Sequence, residues 1–338
     1  MKTSFSFAVA TFIVLTFFPA CTSSNQASLP PDPLVQLTPS GLAQATVFTT
    51  FDSDKLLEGI AIDKKGSLYV SEITAGQVFQ ITLDGKPSVV ATLPMGTSVF
   101  AGGRGSVSTL AFGRDGNLYI GVNNGLDSTA HGLWQINPAT KQARLYVPLP
   151  LAVRVNGIAF DSTGNVFFTD PQGGAIWKVK SGETRASLWL RDTSFTSNIP
   201  GFPGINGLQV ASNNVLYAAV SAKGYVIAVQ QLSNGAAGTP TIVRSGINGD
   251  DFAIDREGNF FVTTHPFNTV ERITSDFTQS RVIANASNGV LGAAAAAFGT
   301  SPGDTGNLYV VTDGGLFGFD PSRPRGKASI VKLSVYKN

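Results

Sequence analysis

One cysteine, two histidines and two methionines are all that 338 residues offer of the side chains that build disulfide frameworks, soft-metal centres and thioether clusters. A single Cys excludes a disulfide scaffold and any Cys-based zinc or iron–sulfur site. Two His leave no material for a His-rich centre, so a metal in this chain would have to be met by hard oxygens from Asp, Glu, Asn and carbonyl groups. Charge is also scarce, at 14% of residues, and 24 Lys and Arg stand against 22 Asp and Glu for a net +2. Without a basic surplus there is nothing to neutralise a phosphate backbone, which argues against nucleic acid as a partner. Helical periodicity is missing too. The one long, nearly unbroken apolar run is Phe5–Phe18.

That run follows Lys2 and precedes Pro19-Ala20-Cys21. A basic start, an apolar stretch and a small residue before the break describe a secretory signal peptide over residues 1–20 and an extracytoplasmic protein. Cys21, followed by Thr22-Ser23-Ser24-Asn25-Gln26, stands where a bacterial lipoprotein carries its lipidated cysteine, although Phe18 occupies the place usually held by Leu. Free secretion and a lipid anchor at Cys21 both stay open, and the anchor is the only membrane attachment expected. Residues 21–44, with Leu29-Pro30-Pro31-Asp32-Pro33, read as a flexible linker.

From residue 50 onward the chain repeats itself. Glu58-Gly-Ile-Ala-Ile-Asp63 with Gly66-Ser-Leu-Tyr-Val70 returns as Asn156–Asp161 with Gly164–Phe168, and again as Asp250–Asp255 with Gly258–Val262. Looser copies start at Ser108, Asn206 and about Ala294, so that successive starts lie 44 to 50 residues apart. That period belongs to propeller blades. In the first copy the apolar runs predict strands at 58–63, 67–72, 77–82 and 87–93, here A to D. Gly and Asn of the Asp-x-x-Gly-Asn turn are expected to supply positive φ between A and B. The sixth copy supplies A, B and C, and Ala45–Phe51 resembles the D strands and can stand as its outer strand. The expected fold is therefore all-β: one domain over residues 45–338, a six-bladed β-propeller closed by an N-terminal strand joining the last blade, and a monomer.

Antiparallel order puts the D–A and B–C connections on one face and the A–B turns on the other. The first residue of each A strand is then delivered to the channel rim, reading Glu58, Ser108, Asn156, Asn206, Asp250 and about Ala294. Asn-Gly dipeptides also serve as plain turns into a strand, but turn chemistry does not explain Glu58 and Asp250 in the same slot. Two carboxylates and two amides suit a hard divalent cation, calcium before zinc, which prefers His or Cys.

These motifs, together with Phe168-Thr-Asp-Pro171, resemble the senescence-marker/gluconolactonase family of six-bladed propellers, related to the paraoxonases and strictosidine synthase-like proteins, over about residues 45–336. The resemblance implies that Glu58, Asn156, Asn206 and Asp250 bind a catalytic divalent metal, usually calcium, with Asp251 as a further ligand. It also implies a small-molecule lactone or ester as substrate. Ser108 departs from the paraoxonase pattern, which has a His there, so a paired-His mechanism is not expected.

The chemistry of the residues agrees with that implication. A cation at the channel mouth polarises a carbonyl and stabilises the oxyanion formed on attack by water. Asp250 or Asp251 is placed to be the general base, with His265 of the fifth B–C connection as a second candidate. Arg104, in Gly102-Gly-Arg-Gly105, can hold a substrate carboxylate or phosphate, and His131 in the long B–C loop of blade two is a second candidate for substrate binding. For both, a solvated loop position is the alternative. The connection Phe195–Ile205 is placed to form an apolar wall or lid. The expected function is an exported, calcium-dependent hydrolase of lactone or ester type. The alternative is a non-catalytic propeller that binds or scaffolds, with a structural metal or none, because fold does not give function.

Overall fold

The second strand of each repeat explains why the chain stacks sheets around an axis. Leu68–Glu72, Val166–Asp170 and Phe260–Thr264 are buried at every position. Both faces of such a strand must be covered, so its sequence is a continuous apolar run instead of an alternating one. Outer strands such as Ala186–Arg191 have no fully buried residue.

A computed structural model describes residues 35–38, 41–52, 54–95, 105–124, 128–315 and 326–336. The signal segment 1–20, Cys21 and Arg104 lie outside the described residues, as does most of the linker. Among those described, the strands form six four-stranded antiparallel sheets in a ring, a six-bladed β-propeller. The strands of the first repeat are Leu57–Ile62, Leu68–Glu72, Gln77–Ile81 and Pro87–Thr92. The other inner strands are Ser106–Phe112, Ile158–Phe160, Ile205–Val210, Phe252–Ile254 and Ala293–Phe298. Gln44–Thr50 pairs antiparallel with Ser329–Ser334, on the outside of the sixth sheet.

The core lies between blades. Buried apolar residues fall into six clusters, one for each seam between neighbours. The seam that joins the ends of the ring packs Leu57, Ile60 and Val70 against Ala295, Tyr309 and Val311. Burying a Leu, Val or Phe in such a seam contributes about 1.5–3 kcal/mol. At the A–B turns only the glycine takes a positive φ, +88° at Gly66 and Gly164 and +84° at Gly258. The Asn that follows does not share that role, contrary to the sequence expectation; its side chain bonds back to the turn Asp, Asn165 Nδ2 to Asp161 Oδ2 at 2.7 Å. In the fourth repeat Asn214 takes the glycine's place at φ +61°.

Candidate functional site

The inner strands lose their regular pairing at the channel mouth. Register slips between Leu57 and Ile60, Val107 and Leu110, Ile205 and Leu208, and Ala293 and Ala295. In blades three and five the regular strand begins only at Ile158 and Phe252, after Asn156 and Asp250. Each slot residue thus sits in or beside an irregularity of the ladder, the backbone device that re-aims a side chain. Hydroxyls of the second strand take up the displaced amides: Gly59 N–H donates to Ser71 Oγ at 2.9 Å and Gly157 N–H to Thr169 Oγ1 at 2.8 Å. Thr109 Oγ1 donates to Asn156 O at 2.9 Å and Thr169 Oγ1 to Asn206 O at 2.6 Å, tying each slot to the preceding blade.

The glycines after the slot residues are there for closeness. Neither Gly157 nor Gly207 has a positive φ. A Cβ on Gly157 would lie 2.5 Å from Asn206 O, and one on Gly207 would lie 2.5 Å from Asp251 Cα. The Asn-Gly pairs are close-approach devices that let neighbouring blades meet at the axis, not turn dipeptides.

Glu58, Ser108, Asn156, Asn206 and Asp250 line one cavity of about 770 Å³. A second tier comes from the end of the second strands. Seven residues after the turn glycine, or Asn214 in its place, stand Ile73, Asn123, Pro171, Ser221, His265 and Asp313. All six line the same cavity. Asp313 and Ser221 are absent from the first-strand slots, yet this repeat spacing marks both.

The polar side of the cavity is tightly coupled. His265 Nδ1 lies 2.9 Å from Asp250 Oδ2, and His265 Nε2 lies 2.8 Å from Asp313 Oδ2. The Asp313 side chain is only 2% exposed, and its Oδ1 accepts the Gly315 N–H at 2.7 Å. Burial works against a charged His265, but hydrogen bonds and charge from Asp250 and Asp313 outweigh it and hold its pKa well above the usual value. Asn206 Nδ2 donates to Ser221 Oγ at 3.0 Å and to Asp250 Oδ1 at 2.5 Å. Asn156 Oδ1 is buried with no hydrogen-bond partner, and Asp250 Oδ2 has none beyond its ion pair with His265. Burial, and then the charge of Asp250, push the Glu58 carboxyl up to about 8.

The other expected residues fall in different places. Asp251 does not line the cavity; its Oδ1 accepts the Phe252 N–H at 2.8 Å, and burial pushes its carboxyl up to about 7. His131 is fully buried, with Nδ1 accepting the Asn124 N–H at 3.1 Å and Nε2 lying 2.7 Å from Val153 O. It belongs to the packing at the end of blade two and is absent from the cavity wall, and burial pushes its pKa down. Phe195 is core, while Ile199, Phe202 and Pro203 from the same connection form an apolar wall. Arg154, two residues before Asn156, also lines the cavity, at a position outside the repeat slots.

Among the described residues, no group of three or more His, Cys, Asp or Glu is arranged to hold a metal ion. The donor set is instead two carboxylates and two amides, Glu58, Asp250, Asn156 and Asn206. The orphaned Asn156 Oδ1 and desolvated Glu58 are what an oxygen-ligated cation would satisfy.

No protein-family model matches the chain, and no curated protein matches it in sequence. Solved structures do. A calcium-binding protein, regucalcin from Agrobacterium tumefaciens, is 18% identical with a TM-score of 0.64, covering 86% of this chain and 96% of its own. A gluconolactonase from Xanthomonas campestris is 15% identical with a TM-score of 0.62, covering 89% of this chain and 94% of its own. The structural neighbours are regucalcin- and gluconolactonase-type six-bladed propellers. The likeness is one of fold. Virginiamycin B lyase from Staphylococcus aureus, solved as a catalytically inactive His-to-Ala variant with quinupristin, shares it at 14% identity and a TM-score of 0.54, covering 86% of this chain and 99% of its own.

Proposed function

We propose that the protein hydrolyses a lactone or related carboxylic ester in this cavity, with a divalent cation, calcium by the donor chemistry, held by Glu58, Asn156, Asn206 and Asp250. The observation that carries this reading is the orphaned Asn156 Oδ1, a buried amide oxygen with no hydrogen-bond partner in the same cavity as Glu58 and Asp250. Such an atom is costly to bury unless a ligand takes it. The regucalcin described as calcium-binding and the gluconolactonase support the reading by sharing the fold.

The cation, when bound, would polarise the substrate carbonyl. Asp250 accepts a proton from the attacking water, and His265, in contact with Asp250, delivers a proton to the leaving oxygen. Asp313 orients the imidazole from its far side. The water oxygen bonds to the carbonyl carbon, the ring C–O bond breaks, and the proton taken from water is matched by the one given to the released alkoxide. A hydroxy acid results. Calcium-stimulated turnover within a panel of aliphatic and sugar lactones, abolished by chelator and by Asn156→Ala, is the expected result. A folded, calcium-loaded protein inert across that panel would sink the reading.

His265 between two carboxylates favours a second reading, a lyase, and virginiamycin B lyase has the same fold. Elimination would take a proton from carbon and expel a carboxylate, leaving a double bond and consuming no water. Turnover in water labelled with heavy oxygen separates the two: label in the product carboxylate marks hydrolysis, and an unlabelled unsaturated product marks elimination.

A further inference from the structure

Two parts of the cavity are unused by that chemistry. One is the apolar wall, where Ile199, Phe202 and Pro203 of the fourth D–A connection face the same space as Leu56, Ile73 and Val107. The other is Arg154. It is the one Lys or Arg among the described residues that line the cavity, and it is half-buried.

Its surroundings do not hold it. The nearby Asp170 carboxylate uses Oδ1 on backbone, accepting Arg154 N–H at 3.3 Å and Gly173 N–H at 3.0 Å. The guanidinium itself has no hydrogen bond or ion pair among the described residues. Burial pushes the Arg154 pKa down, with Asp170 opposing, yet a guanidinium stays charged at any working pH. A half-buried, unpaired cation in a largely apolar cavity loses hydration without recovering it, unless an anion arrives with the ligand.

We propose that Arg154 is an anion-recognising specificity residue, and that the substrate is an aliphatic lactone or ester bearing a carboxylate, its chain against the Ile199–Phe202–Pro203 wall and its charge on the guanidinium. The substrate class rests on the hydrolase reading; the anion site does not. A polyhydroxylated sugar lactone has little to gain from that wall, because its hydroxyls would be buried against apolar groups.

The test uses the full chain in chelator, so that no metal can bind the probe, and compares octanoate with octanamide by titration calorimetry. Octanoate is expected to bind roughly tenfold or more tightly than the amide, as a charge-assisted contact gives. Arg154→Gln should erase the difference and Arg154→Lys should keep part of it. Equal affinities in the wild type, no measurable octanoate binding, or a preference that survives in Arg154→Gln overturns the site. Should the glutamine variant not fold, the wild-type pair still decides. A parallel assay with calcium compares an alkyl δ-lactone with the same lactone whose chain ends in a carboxylate. Arg154→Gln should raise KM for the carboxylate lactone at least tenfold more than for the neutral one. An octanoate preference lost in Arg154→Gln, with no lactone turned over, sinks the hydrolase reading and upholds the anion site. Turnover of both lactones with equal octanoate and octanamide binding does the reverse.

Discussion

The two faces of the propeller carry the same residue type in opposite conditions. On the A–B turn face, Asp161 Oδ1 accepts the Thr163 and Asn165 N–H groups, each at 2.9 Å, and Oδ2 accepts Asn165 Nδ2 at 2.7 Å. Asp63 and Asp255 repeat the pattern, with Ser67 N–H on Asp63 at 2.9 Å and Asn259 N–H on Asp255 at 2.8 Å. At the channel mouth, Glu58 is desolvated beside Asp250, and Asp250 Oδ2 has only its contact with His265. A carboxylate saturated by its own turn holds that turn. A carboxylate short of donors at the convergence of several blades is held by the fold against its preference, which is how sites are built.

If that contrast is functional, exchanging chemistry on the two faces must have different consequences. The largest effect is expected from Asp250→Asn, which should lower turnover by about a thousandfold or more, with folding intact by circular dichroism. Loss of fold in step with activity would make Asp250 structural instead. Asp313→Asn comes next. It touches no substrate in the proposed chemistry but orients His265, so kcat should fall roughly tenfold to a hundredfold with KM little changed. A change confined to KM would remove the positioning role. Asp161→Ala should leave turnover alone and cost about 1–2 kcal/mol in denaturant unfolding, because several turn donors lose their acceptor. Lost activity in a stable Asp161→Ala protein would dissolve the distinction between faces.

Much of this contrast is legible in the residues alone. The Asp-x-x-Gly period places the blades, since tight turns leave few residue choices, and the first-strand slots bring Glu58, Asn156, Asn206 and Asp250 into one cavity. The bulges are not legible, because a register slip depends on cross-strand partners that no local pattern displays. The reason for Gly157 and Gly207 is hidden for the same cause: what a Cβ would strike belongs to another blade. His131 shows the opposite failure. A His in a long loop reads as exposed, but this one folds inward onto backbone partners at Asn124 and Val153. Asp313 is within reach of the repeat, since Gly306 precedes it by the same seven residues that separate Gly258 from His265. It stands out less because the second strands end in six different residue types, from Ile73 to Asp313, whereas amides and carboxylates recur in the first-strand slots.

The smallest expected effect divides the faces by sign. Glu58 is held at about 8 against a usual 4.5, so the folded state keeps a proton that the unfolded chain has released. Stability from that group is therefore full below about pH 4.5 and declines as pH rises toward 8. Asp161 runs the other way. Burial alone would raise it, but hydrogen bonds from Asn165 and Thr163 prevail and hold it below the usual 3.8. Its stabilisation is complete above pH 3.8 and is lost as pH falls through the depressed value. Melting temperature against pH, measured in chelator so that no cation competes for Glu58, reads both limbs in one series. Glu58→Gln should flatten the decline between pH 4.5 and 8 and leave the acid limb in place. Asp161→Asn should flatten only the acid limb. If both substitutions moved the same limb, the two carboxylates would share one environment, and the division between a saturated face and a starved one would fail.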